Sequence, residues 1–326
     1  MSFMNYGDGR GEFMYKPPYV IAEAGCNHMG QMEIAHEMIT TAAIFCRADA
    51  IKFQKRCPKE LLTPEQYNAP HPNPYNSYGK TYGEHREFLE FTAEEHAQLK
   101  KWCEEAGITY AASVWDITSA KEIAYLRPDF IKIPSACNNH FAMLQWLCEN
   151  YEGEIQLSFG MTTYMEKEEI VQLFEKHGRA KDLVLFHCVS GYPIPFSDVY
   201  LLEIKRMREQ YEDRVKEIGF SGHHLGIAVD VAAYTLGASV VERHYTLDRT
   251  WKGTDHAASL EPDGVRKLVR NLKAVYEALK FKKEEIIPIE MEQRNKLKYR
   301  HEYMNRESSL EKTDDKIFFN KLQHKR

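Results

Sequence analysis

The sequence predicts an α/β fold of the (β/α)8, or TIM-barrel, class, and three observations carry the prediction. Eight short apolar, β-branched runs recur along 326 residues. Amphipathic helical stretches separate them, the pattern of parallel strands joined by crossover helices. No G-x-G-x-x-G follows the first run, which argues against the rival open, doubly wound sheet. The length also suits a barrel, which commonly takes roughly 250 residues.

The strand runs are Tyr19–Ala24, Ala50–Phe53, Thr109–Ser113, Phe130–Ile133, Glu154–Leu157, Leu183–His187, Lys216–Gly219 and Val240–Arg243. Helices are expected between them, for example at Glu33–Phe45, Ala93–Ala106, Glu166–His177 and Val199–Gln210, with Asp263–Lys280 closing the series. This divides the chain into a short N-terminal extension (1–18), a barrel (19–285) and a polar C-terminal tail (286–326). The segment 55–92 breaks the rhythm. It is rich in Pro, Tyr, His and Asn, carries YGKTYGEHR (Tyr78–Arg86), and has a length usual for functional or disordered loops.

Composition narrows the function. With 43% apolar residues the chain can bury a large core, and a net charge of −5 gives no reason to expect nucleic acid or a membrane surface as partner. Seven widely spaced cysteines without a C-x-x-C pair read as reduced thiols of a cytoplasmic protein. The N-terminus lacks an apolar signal-peptide core. No run reaches the ~18 apolar residues of a membrane helix.

Placement of the polar residues is more telling. Glu23, Lys52, Gln54, Ser113, Lys132, Ser135, His187, Ser221, His223 and His244 all fall at or just past the C-terminal ends of predicted strands, the face on which barrels build active sites. One lysine after an apolar run would snorkel to water. Two at matching places, in AIKFQK and FIKIPS, with serines nearby, favour an anion site. Glu23 reads either as a core carboxylate satisfied by lysines or as a reacting group. His187 reads as a packed strand-end histidine. His223 and His244 follow successive strands and read as ligands for a divalent metal, while His224, next in an extended segment, faces the other way. Met29, Met38, Met143 and Met161 read as core filler.

Six motifs in order, IAEAGCNHMG (Ile21–Gly30), IKFQK (Ile51–Lys55), IKIPSACNN (Ile131–Asn139), HCVSGYPIP (His187–Pro195), GFSGHHLGIA (Gly219–Ala228) and ERHYTLDRTWKGTDHAASLEPD (Glu242–Asp263), resemble the sialic acid (nonulosonate) synthase family. The resemblance implies a TIM barrel that acts as a homodimer and joins phosphoenolpyruvate to a mannose-type aldehyde with the help of Mn²⁺ or Mg²⁺. It implies His223 and His244 as metal ligands, and Lys52, Ser113, Lys132, Ser135, Ser190 and Ser221 around phosphoenolpyruvate. Gln54, Tyr192 and Asp255 would face the sugar, and Glu23 would stand beside the metal. Catalysis would fall to Glu23, His244, Lys52 and Lys132.

Within the family WKGTDH, GFSGHH and KTYGEH resemble the branch that uses hexose 6-phosphates, with Lys80, His85 and Arg86 as partners for the second phosphate. Three departures stand out. The stretch after Lys280 does not resemble the family's antifreeze-like domain, leaving the tail as a possible cover for the site. Cys137 replaces an acidic residue of the sugar pocket, and Phe159 replaces a threonine before Gly160. On these grounds the expected acceptor is mannose 6-phosphate, giving Kdn 9-phosphate. The alternatives are N-acetylmannosamine 6-phosphate, giving N-acetylneuraminate 9-phosphate, or an unphosphorylated acetamido sugar. A non-catalytic sugar-phosphate-binding barrel is the reading from another class; it would be favoured by loss of the lysines or histidines, and none is lost.

Overall fold

The computed structural model describes residues 15–299. Eight parallel strands close into a barrel in sequence order, with β1 hydrogen-bonded to β8. They are β1 (Tyr19–Gly25), β2 (Ala50–Lys55), β3 (Thr109–Val114), β4 (Phe130–Ile133), β5 (Glu154–Ser158), β6 (Leu183–Cys188), β7 (Glu217–Gly222) and β8 (Val240–His244). One principal helix follows each strand: α1 (Met32–Thr40), α2 (Ala93–Ala106), α3 (Ile117–Tyr125), α4 (Phe141–Asn150), α5 (Tyr164–Lys176), α6 (Leu202–Tyr211), α7 (Ala228–Thr235) and α8 (Pro262–Ala278).

Three local differences from the sequence reading have physical causes. β7 runs on to Gly222, past the expected end at Gly219, because Ser221 and Gly222 stay paired to Cys188 and Arg243 of the flanking strands. Gly219 interrupts the β-branched pattern for a packing reason: a Cβ there would stand 2.8 Å from the Phe186 ring. The first helix gives way after Thr40 to a π-helical turn, Thr41–Cys46, which ends on a left-handed Arg47. The long segment after β2 is ordered by short helices, Pro58–Leu61, Pro64–Asn68 and Tyr82–Leu89, the last two opened by capping boxes on Thr63 and Thr81.

Two cores result from strand alternation. One lies between sheet and helices. The other fills the lower barrel with Ile21, Ala50, Ala111, Phe130, Val184, Phe186 and Val240, all buried. Two residues further along the same strands the inward positions turn polar: Glu23, Lys52, Ser113, Lys132, Cys188 and Glu242. The site therefore rests on an apolar plug.

The chain divides into two compact units that meet between Leu279 and Lys280. In the second, the described residues hold one helix, Pro288–Leu297, with Lys282–Glu290 and Lys296–Glu292 ion pairs. Residues 1–14 of the expected extension and 300–326 of the expected tail lie outside the described residues. All seven cysteines are free. Among the described residues no helix is long and apolar enough to cross a membrane.

Candidate active site

The floor of the site is a consequence of register. Glu23 pairs in sequence register with Lys52 on one side and His244 on the other. Ser113 lies beside Lys132, and Ser221 beside Glu242. The Lys52 ammonium donates to Ser113 Oγ at 2.6 Å and forms an ion pair with Glu23. Lys132 donates to Glu242 Oε2 at 3.1 Å and sits 3.2 Å above the centroid of the Phe186 ring. Ser221 Oγ donates to Glu242 Oε1 at 3.2 Å. Glu242 is the main residue that sequence reasoning missed. The signal was present, since it stands two positions before His244 on one strand and so shares its inward face.

These buried charges respond differently to their surroundings. Burial disfavours the Glu23 carboxylate and lifts its pKa from 4.5 to about 7, Lys52 pulling the other way. Burial acts on Glu242 in the same sense, but the Lys132 and Lys52 ammoniums overcome it and hold the group at about 2. Burial pulls the Lys132 ammonium down against the pull of Glu242. Cys188 is lowered despite burial, chiefly by the neighbouring His223, with Ser135 and Lys132 acting in the same sense.

The two histidines stand together with ring centroids 5.4 Å apart. His223 Nδ1 lies 2.9 Å from the Val189 carbonyl. With its proton donated there, Nε2 offers a lone pair. Burial lowers the pKa of His244 and keeps it neutral, and its buried Nδ1 has no hydrogen-bond partner. The Asp255 carboxylate stands 4.0 Å from that nitrogen. Among the described residues no set of three or more His, Cys, Asp and Glu side chains is arranged to hold a metal ion. With His223 Nδ1 turned to a carbonyl and His244 Nδ1 buried without a partner, the pair of imidazoles suits a divalent cation that would take its remaining ligands from substrate oxygens.

Hydroxyls and loops complete the cavity, whose volume is about 440 Å³. Ser135 Oγ accepts from the Gly160 amide at 3.0 Å, and Ser190 Oγ is buried without a partner. Gly160 is required there, because a Cβ would stand 2.4 Å from Ser190 Oγ and 2.6 Å from Ser135 Oγ. Tyr192 lies over His223, ring centroids 4.2 Å apart. Gln54 Nε2 donates to Glu23 Oε1 at 2.8 Å. Arg56, also missed in the sequence, is buried and lines the cavity. It donates to Glu90 Oε1 at 3.0 Å and lies 4.2 Å from the Trp115 ring, whose Nε1 is buried and unpartnered.

The three residues expected at a second phosphate separate. Arg86 lines the cavity, its guanidinium donating to the Tyr82 hydroxyl at 2.7 and 3.0 Å. Lys80 is exposed and does not line the cavity. His85 is buried against Tyr78, His71 and Tyr82, and its Nδ1 accepts from the Tyr78 amide at 3.2 Å. Burial lowers its pKa to about 4, leaving it uncharged.

Other expectations resolve by facing. His187 is packed, Nε2 lying 2.7 Å from the Val199 carbonyl. His224 faces away from the cavity and is fully buried. Met38 and Met143 are core filler, but Met161 is 70% exposed and lines the cavity. The Cys137 thiol turns to the Val114 carbonyl at 3.5 Å and leaves its neighbours Ser135 and Ala136 to line the cavity. Phe159 packs in the sheet–helix core, edge-on to Tyr211.

Comparison with known proteins identifies the family. Residues 38–284 match the NeuB family model. The human N-acetylneuraminate-9-phosphate synthase is 36% identical over 281 residues, 86% of this chain and 76% of that protein. The enzyme of the same name from Drosophila melanogaster is 38% identical over 250 residues, 77% and 66% of the two chains. Among solved structures, the N-acetylneuraminic acid synthetase of Leptospira borgpetersenii serovar Hardjo-bovis, in complex with citrate, superposes with a TM-score of 0.72 at 29% identity, covering 87% of this chain and 94% of that one. Fold and sequence thus agree: the chain belongs to the NeuB family, the sialic acid synthases, and is an enzyme of that family.

Proposed function

We propose that the protein condenses phosphoenolpyruvate with a 6-phosphorylated mannose-type sugar, forming a nine-carbon 2-keto acid 9-phosphate and releasing phosphate. The observation that carries this reading is one cavity lined by a buried pair of lysines, the paired imidazoles of His223 and His244, and the Arg86 guanidinium. Its volume lies in the range of small-molecule sites, ~300–1,000 Å³.

Lys52 and Lys132 neutralise the carboxylate and phosphate of phosphoenolpyruvate, and Ser113, Ser135, Ser190 and Ser221 surround them with hydroxyl groups. Ser190, which has no partner of its own, is free to donate. Gln54, Tyr192 and Asp255 orient the sugar so that C3 of phosphoenolpyruvate meets its aldehyde carbon. A cation held by His223 and His244, Mn²⁺ or Mg²⁺, supplies Lewis-acid polarisation of the aldehyde oxygen. Glu23, with its pKa raised to about 7, orients the water that adds to C2 and exchanges a proton near neutral pH. Arg86 takes the sugar's phosphate, with the buried Trp115 Nε1–H as a second donor.

Mannose 6-phosphate, giving Kdn 9-phosphate, is the acceptor of first choice, because the carboxylates lining the cavity are Glu23, Glu242 and Asp255, with none from position 137. N-acetylmannosamine 6-phosphate is the second, favoured by what the human and fly relatives are named to make. Phosphate release from phosphoenolpyruvate, measured with each sugar phosphate and each free sugar, decides both points. Turnover is expected with the 6-phosphates; equal or better turnover with free sugars overturns the phosphorylated acceptor.

A further inference from the structure

His223 and His244 lie one residue beyond the last paired position of β7 and β8, Gly222 with Arg243. No register pair of that ladder fixes their spacing. On the far side of the same strand ends, away from the cavity, three polar side chains meet. His224, Asp230 and Arg243 are 0%, 0% and 1% exposed. The Arg243 guanidinium pairs with Asp230, in the first turn of α7, and donates through Nη1 to the Gly226 carbonyl at 2.8 Å. Nη2 donates to the carbonyl of His224 itself. His224 Nε2 lies 3.0 Å from Nη1 and 3.2 Å from Asp230 Oδ2: as a lone pair it accepts from Nη1, and as an N–H it donates to Asp230.

Arg243 is covalently next to His244, and the carbonyls it grips follow His223 by one and three residues. A planar fork of fixed donors holds such acceptors in one geometry, which a flexible ammonium does not. Asp230 neutralises the buried charge, so the fork can persist without water. We infer that Arg243 and Asp230 are positioning residues that set the spacing of His223 and His244 for a divalent cation. This rests on the two-histidine cation site proposed above.

The test titrates metal-free wild type, Arg243→Lys, Arg243→Met and Asp230→Asn with Mn²⁺, reading free Mn²⁺ by electron paramagnetic resonance and the fold by near-ultraviolet circular dichroism. Loss of a partner that orients ligands weakens metal binding by about 10- to 100-fold. That loss is expected here, greater for Met than for Lys, with metal-free phosphoenolpyruvate affinity unchanged and turnover of Arg243→Lys restored by excess Mn²⁺. Wild-type Mn²⁺ affinity in any folded variant overturns the positioning role and leaves the cation site standing. A parallel fall in phosphoenolpyruvate affinity marks general loosening of the barrel and also overturns it. Failure of the wild-type chain to bind Mn²⁺ overturns the cation site and this inference together.

Discussion

At the floor of the cavity the charged side chains come from strands, and each is already met by a partner: Lys52 by Glu23 and Ser113, Lys132 by Glu242. At the mouth the groups come from loops, and the partners are looser. Arg86 leans on a tyrosine hydroxyl, Trp115 Nε1 has no partner, and Tyr192 is 53% exposed. The floor is preorganised by ladders that cannot shift one side chain without shifting a strand. The mouth is held by contacts that a ligand can exchange for its own. Changes at the floor should therefore cost chemistry and stability together, whereas changes at the mouth should cost acceptor affinity alone.

The largest effect is expected at the strand end that both regions share. On the proposed mechanism His244→Ala should lower turnover at least roughly 1,000-fold, since a polarising cation held there would supply several kcal/mol and each 1.4 kcal/mol is tenfold. Mn²⁺ titration should show the matching loss, and full activity in a chelator-treated sample would defeat the assignment. Next comes Glu242→Gln, which leaves Lys132 without its buried counter-ion. Breaking such a pair costs about 3–5 kcal/mol, read as a lower urea midpoint. Phosphoenolpyruvate should restore part of that loss by supplying the missing negative charge; equal destabilisation with and without it would show that the pair is unrelated to anion binding.

At the mouth, Arg86→Gln removes one charged donor. A hydrogen bond to a charged group is worth about 1.5–3 kcal/mol, so KM for the sugar phosphate should rise ~10- to 100-fold while KM for phosphoenolpyruvate stays put. Equal changes in both would erase the distinction between floor and mouth.

The smallest effect is a pH slope. Glu23 has a folded-state pKa raised from 4.5 to about 7 by burial. The folded protein thus holds this proton more tightly than the unfolded chain. Its stabilising contribution is complete below pH 4.5 and is lost as pH rises through about 7. Glu23→Gln should flatten the decline in urea midpoint across that window, and an unchanged slope would show that another group titrates there.

The same contrast governs what the sequence could reveal. Lys52, Lys132, His223 and His244 were legible because a strand turns every second residue inward, and strand ends in a barrel share one face. Glu242 and Arg56 obeyed that rule too and were overlooked, Glu242 beside a more conspicuous histidine and Arg56 two places past Gln54. The loop residues had no such rule. Thr81 and Glu84 form a capping box that opens a helix, so His85 and Arg86 are successive helical residues and diverge by about 100°. One entered the packing and the other the cavity. Cys137 and Phe159 were visible as departures, but which way each side chain turned depended on the three-dimensional fit of loop against sheet.

The apolar plug beneath the lysines has a consequence for traffic. A vessel sealed at its base by Phe130, Val184 and Phe186 loads and unloads like a stack of plates. In the proposed reaction the fragment resting on Lys52 and Lys132 goes in first, and the sugar then closes over it. Joining the two carbon skeletons ties the bottom plate to the top one, so both leave by the upper opening as one molecule and only phosphate departs by itself. In that reaction, order of addition would follow from side chains that touch neither reactant.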